Sequence, residues 1–85
     1  MKKIQMFMMP SCPYCRAALG WMDDLLAGDP KYREIEFEMI DETAHPDIAG
    51  RYDYYYVPTF FVGGRKLHEG AASPGKIKRV FDAAL

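Results

Sequence analysis

Apolar side chains change their period along this chain, and each change marks an element. Lys3 to Met8 is almost continuously apolar, which predicts a strand covered on both faces in the interior of a sheet. Beyond Pro13 the period lengthens: Ala18, Leu19, Met22, Leu25 and Leu26 recur at helical spacing, and Gly28-Asp29-Pro30 supplies the stop. Glu34 to Ile40 then alternates charge with apolar bulk, predicting a strand with one buried face. Its repeated glutamates suit a sheet edge. Pro46 to Arg51 reads as a short helix, with Gly50 shortening it. Thr59 to Val62, Gly63-Gly64 and Arg65 to Glu69 form a strand, a two-glycine turn and a second strand, the signal of a hairpin. Ser73-Pro74 opens a last helix by capping and first-turn proline, and Ile77, Val80, Phe81 and Ala84 are its apolar stripe.

The order strand, helix, strand, helix, hairpin, helix predicts an α/β fold. Strands separated by helices pair in parallel by right-handed crossovers, and the hairpin adds antiparallel strands to the same sheet. A four-stranded mixed sheet flanked by three helices is expected, as one domain over residues 1–85. With 49% hydrophobic and 14% aromatic residues, the chain has enough apolar material for a compact core.

A net charge of −1 gives no electrostatic case for nucleic acid or an anionic membrane surface. No stretch approaches the ~20 apolar residues that span a bilayer. The start, Met1-Lys2-Lys3 before Ile4 to Met9, superficially resembles a signal peptide. Its apolar part is too short, contains Gln5 and meets no small-residue cleavage site. A cytoplasmic chain acting as a monomer is the expectation.

Candidate chemistry lies in Cys12-Pro13-Tyr14-Cys15, which holds the only two cysteines of the sequence. A disulfide between them closes so small a loop that it adds little stability, because loop-closure entropy grows with the logarithm of loop length. Its natural use is reversible. Cys12 falls at the start of the first helix, where unpaired N–H groups and the positive end of the helix dipole favour a thiolate, and Arg16 adds a nearby positive charge. Cys15 falls one turn later on the same side and deeper, where it stays protonated until needed.

Placed between a first strand and a first helix, and followed by Val57-Pro58-Thr59 before a hairpin, this pair resembles the active site of the thioredoxin superfamily. The wording CPYC is similar to that of dithiol glutaredoxins. The resemblance implies a thioredoxin-like fold and a dithiol–disulfide oxidoreductase acting in electron transport and redox homeostasis. Cys12 is then the attacking thiol and Cys15 the resolving one. The resemblance further implies a cis bond before Pro58, with the backbone of Val57 free to bind an extended substrate. A potential nearer the roughly −200 to −230 mV of glutaredoxins than the about −270 mV of thioredoxin is expected.

At its glutathione-contacting places the chain departs from the glutaredoxin pattern. Met9 and Pro10 stand where a basic residue precedes the first cysteine, and Leu67-His68-Glu69-Gly70-Ala71-Ala72 has no aspartate suited to glutathione's ammonium group. Gly70-Ala71 looks instead like the loop with which thioredoxins dock partners. Met6 stands where thioredoxins carry a buried acid on this strand. The reading is a reductant of protein disulfides with no bound cofactor, recharged by a flavoprotein of the thioredoxin-reductase type drawing on NADPH, the alternative donor being glutathione. Tyr14, Val57, Pro58 and Gly70 are the candidate substrate-binding residues, with Tyr56 a further groove candidate.

Other residues support blander readings. A zinc site needs four ligands, and only His45 and His68 could complete one, without matching spacing. Arg16 stands where covalent haem attachment needs histidine. A metal or an iron–sulfur cluster shared between chains is the competing binding-module reading. Tyr52, Tyr54 and Tyr55 read as packing, the methionines as core filler, and Lys76, Lys78 and Arg79 as the wet face of the last helix. His68 reads as solvated.

Overall fold

The computed structural model describes all residues, 1–85. Its elements are β1 (Ile4–Met8), α1 (Pro13–Gly28), a 3₁₀ turn (Pro30–Glu34), β2 (Phe37–Asp41), α2 (Pro46–Ala49), β3 (Thr59–Val62), β4 (Arg65–Glu69) and α3 (Pro74–Ala84). The sheet order is β2-β1-β3-β4, with β1 parallel to β2 and antiparallel to β3. This is the thioredoxin-like arrangement of a mixed four-stranded sheet and three α-helices. As expected, β1 is interior and β2 lies at an edge.

Burial splits β1 by alternation. Ile4 and Met6 enter the larger core with Phe60, Val62, Ala18, Met22 and the α3 stripe, while Phe7 turns to the opposite face with Ile40 and Phe61. The continuous apolar run therefore serves two cores. Ile77, Val80, Phe81 and Ala84 are all buried, so the periodicity of α3 does what it predicts. Ser73 caps that helix by accepting a hydrogen bond from the Lys76 amide at 3.2 Å. In the hairpin turn both central residues, Gly63 and Gly64, have positive φ, 57° and 85°. Such a turn matches the twist of the flanking strands, and glycine adopts it without a Cβ clash.

Four expectations are corrected. Residues 34–36 are not strand: Asp29 accepts from the Lys31 amide at 3.1 Å and starts the 3₁₀ turn, which buries Tyr32 against Phe81, ring centroids 5.3 Å apart. The Tyr32 hydroxyl donates to Asp82. The buried face of β2 also differs from simple alternation, since Met39 is 44% exposed while Ile40 is 3%. Phe7 and Phe61 cover Ile40 on the face opposite Met39. Finally, α2 is one turn long and stops at Gly50, and His68 is half-buried with its Nε2 2.8 Å from the Gly70 carbonyl oxygen. No helix is long and apolar enough to cross a membrane.

Phe81 joins both aromatic contacts of the larger core, to Tyr32 and to Phe37 at 5.3 Å each. Phe81→Ala is expected to lower the free energy of unfolding by about 3–5 kcal/mol. Ser73→Ala, which removes one cap, is expected to cost about 1 kcal/mol. Urea denaturation followed by circular dichroism checks both values and their order.

Candidate active site

Register gathers the chemistry at one end of the sheet. Met8 pairs with Asp41, Phe7 with Thr59, and Thr59 with Glu69. The chain therefore leaves β1 toward Cys12, leaves β2 toward Glu42, enters β3 from Val57-Pro58, and leaves β4 toward Gly70 at the same end. The Val57-Pro58 bond is cis, as the resemblance implies.

Cys12 is the N-cap of α1. Its carbonyl accepts from the Cys15 and Arg16 amides at 3.1 Å each, and Pro13 occupies the first helical position, where a missing N–H costs nothing. The first turn holds no acidic side chain, so no carboxylate competes for the positive helix end. Cys12 is partly exposed. Its thiol accepts no cap hydrogen bond in this reduced state, yet its pKa is lowered, first by the Cys15 amide and also by the Cys15 thiol, the Tyr14 amide and the Arg16 charge. Burial opposes these effects. Arg16, a contributor expected from the sequence, is the least of those causes.

Cys15 has the opposite environment. It is fully buried, and desolvation is the main reason its thiol is pushed up to about 11. Contact with the Cys12 thiol and the charges of Cys12 and Glu42 raise it further, against a lowering from the Met9 backbone. Two thiols one turn apart are therefore pushed in opposite directions, Cys12 toward the thiolate and Cys15 toward the neutral thiol.

Around them the candidate substrate-binding residues divide. Tyr14 is 60% exposed and Tyr56 70%, while Pro58 is buried and Val57 half-buried. Gly70 has φ of 89°, where a side chain is strained, and its N–H donates to the Pro58 carbonyl at 2.9 Å. This bond ties the Gly70 loop to the proline loop. Tyr52 and Tyr54 pack on Phe7 at 4.7 and 4.8 Å, as expected of core aromatics, but Tyr55 is 84% exposed, correcting its assignment to packing.

Two carboxylates were not legible as site residues. Glu69 accepts from the Tyr55 and Tyr56 amides at 2.5 and 3.0 Å and from Lys66 Nζ at 2.8 Å, while Lys66 also donates to the Asp53 carbonyl. The Lys66 ammonium and then the two amides hold the Glu69 carboxyl down at about 2. A glutamate at the end of a strand carries no sequence signal for clamping residues 13 and 14 positions earlier. Glu42 is half-buried and accepts from the Tyr54 hydroxyl at 2.7 Å. No group of three or more His, Cys, Asp or Glu side chains is gathered so as to hold a metal ion.

A partly exposed thiol at a helix start beside a buried one, on a thioredoxin-like fold, is the arrangement of a thiol–disulfide oxidoreductase of the thioredoxin superfamily. The family model described as Glutaredoxin matches residues 4–67, and the chain belongs to that family. The matched residues end before the Gly70 loop. Among solved structures, a malarial protein superposes with a TM-score of 0.76 at 17% identity, covering 100% of this chain and 98% of its own. Thioredoxin of Fasciola hepatica gives 0.74 at 18%, covering 99% and 81%, and the zinc-bound form of human ERp44 gives 0.60 at 21%, covering 98% and 25%. At these identities the likeness shows the fold alone. No curated protein sequence matches the chain.

Because Cys12 is lowered and Cys15 raised, iodoacetamide at neutral pH is expected to label Cys12 alone, at a rate that levels off below the ordinary thiol range. Mass spectrometry against pH checks this, and Arg16→Ala should move the Cys12 midpoint upward only slightly. Glu69→Gln is expected to speed amide exchange at Tyr55 and Tyr56 several-fold, measured by NMR. The Glu69 carboxyl is depressed in the folded state, so its hold is complete above the ordinary glutamate range. Acid should release the same amides as pH falls toward about 2.

Proposed function

We propose that this chain reduces disulfides in proteins through a reversible Cys12–Cys15 bridge and is recharged by a flavoprotein reductase of the thioredoxin-reductase type, with NADPH as the electron source. The opposed environments of the two thiols carry this reading. Cys12 thiolate attacks a substrate disulfide and one substrate sulfur leaves, forming a mixed disulfide. Cys15 then attacks Cys12, the second substrate sulfur departs, and the chain retains the bridge. Two electrons pass to the substrate, and the reductase returns two.

The choice of donor rests on Glu69 and Gly70. Every hydrogen bond that Glu69 accepts comes from Lys66 or the 55–56 amides, so the carboxylate nearest the β4 end is already committed to holding a loop. Gly70 and the exposed Ala71 leave a small, apolar edge beside Pro58, which suits a protein surface better than a charged tripeptide. Membership of the glutaredoxin family favours the second reading, in which glutathione is the donor.

A paired assay separates the two. Starting from the bridged chain, NADPH consumption with thioredoxin reductase is expected to exceed that with glutathione and glutathione reductase by at least about tenfold, a difference of ~1.4 kcal/mol in transition-state free energy. The reverse order assigns the donor to glutathione. Cys12→Ser should abolish insulin reduction, and retained turnover would overturn the mechanism. Cys15→Ser should trap a mixed disulfide at Cys12.

A further inference from the structure

Lys76, Lys78 and Arg79 form one basic run in the sequence, and the structure separates them. The buried stripe of α3 runs through Ile77, Val80, Phe81 and Ala84. Helical spacing puts Lys78 and Asp82 on one flank of that stripe and Lys76 and Arg79 on the other. On the first flank Asp82 accepts from Lys78 Nζ at 2.7 Å and from the Tyr32 hydroxyl. On the second flank no carboxylate answers the two cations, since the ion pairs of the chain engage Lys3, Lys31, Lys66 and Lys78.

That second flank borders a cavity of about 230 Å³ between β4 and α3, lined by Leu67, His68, Lys76, Arg79 and Val80. It is the one pocket of the molecule, and no acidic side chain lines it. Glu69, the acid next to it on β4, is committed to Lys66 and to the Tyr55 and Tyr56 amides. The His68 wall is fixed, because its Nε2 lies 2.8 Å from the Gly70 carbonyl oxygen. That oxygen only accepts, so Nε2 is the donor. Leu67 and Val80 make part of the lining apolar, a surface along which the alkyl stems of lysine and arginine lie while their heads stay charged.

Two like charges three residues apart on a helix repel each other, and an anion between them removes that repulsion. A doubly negative group balances both. Arginine's planar fork offers a phosphate two parallel N–H donors, and lysine supplies a mobile point charge. The cavity is smaller than the roughly 300–1,000 Å³ of pockets for drug-sized ligands, so it suits a phosphate group on a short stem rather than a nucleotide.

We propose that the cavity between β4 and α3 binds a dianionic phosphate group, held by Lys76 and Arg79, with any stem lying on Leu67 and Val80. Neither cysteine lines it, so this site is separate from the thiol chemistry.

The test is a titration of the whole reduced chain followed by amide NMR, at mildly alkaline pH where inorganic phosphate is mostly dianionic. Phosphate should shift the amides of the lining residues and saturate with a dissociation constant of about 1 mM, as suits a few charge-assisted hydrogen bonds in an open site. Sodium chloride at matched ionic strength should not. Arg79→Gln and Lys76→Gln should each weaken binding about tenfold, the worth of one hydrogen bond to a charged group. Lys78→Gln removes the same charge from the opposite flank of the same helix and should weaken it far less.

Phenyl phosphate separates the sources. Tighter binding than inorganic phosphate identifies a phosphate monoester as the ligand, and equal or weaker binding identifies free phosphate. The proposal is overturned by shifts that grow linearly without saturating, by an equal response to chloride, or by equal losses in Lys78→Gln and Arg79→Gln. Lys76 and Arg79 are exposed, so their variants leave the core intact. Should either fail to fold, the wild-type titration against chloride decides by itself.

Discussion

β1 has hydrogen-bonded neighbours along both edges, parallel β2 on one side and antiparallel β3 on the other, and the rest of the molecule depends on that double pairing. A strand shared in this way has no free edge, and with a core packed on each face Ile4, Met6 and Phe7 are wholly buried, so moving it by one residue would exchange its two cores. Register is therefore fixed. Since register is fixed, the place where β1 ends is fixed too, and the cysteines begin immediately beyond that point.

The neighbouring strands inherit this constraint. Pairing of Phe7 with Thr59 puts the cis Val57-Pro58 bond at the cysteine end of the sheet, and pairing of Thr59 with Glu69 brings Gly70 there as well. Glu42 arrives at the same end because β2 runs parallel to β1. The result is a surface assembled from four chain segments, with its backbone already tied by Gly70 to Pro58 and by Glu69 to Tyr55 and Tyr56. Such ties hold the residues flanking the cysteines in place before any substrate arrives.

Electrostatics then separates two residues of identical chemistry. At the helix start, Cys12 feels backbone amides and a nearby Arg16, whereas Cys15 one turn deeper feels burial and negative neighbours. Each helps set the other, since the contact between the thiols lowers Cys12 and raises Cys15. On the proposed cycle Cys12 attacks first, and Cys15 must still lose its proton before it resolves the mixed disulfide.

Local sequence determined the strands of the hairpin, the extents of α1 and α3, and the cysteine pair, because each depends on periodicity, capping or spacing within a few residues. Pro58 became legible only through a family resemblance, since isolated Xaa-Pro bonds are mostly trans. The 3₁₀ turn replaced the start of a predicted strand because Tyr32 finds Phe81 and Asp82 about 50 residues later, beyond the reach of any local pattern. Glu69 was invisible as a loop clamp for the same reason: a carboxylate's role is set by the donors that tertiary folding aims at it. The sequence by itself determined which reaction this chain is equipped for. Only the tertiary structure decided in which direction each thiol is pushed, because burial and hydrogen bonding are properties of neighbours in space.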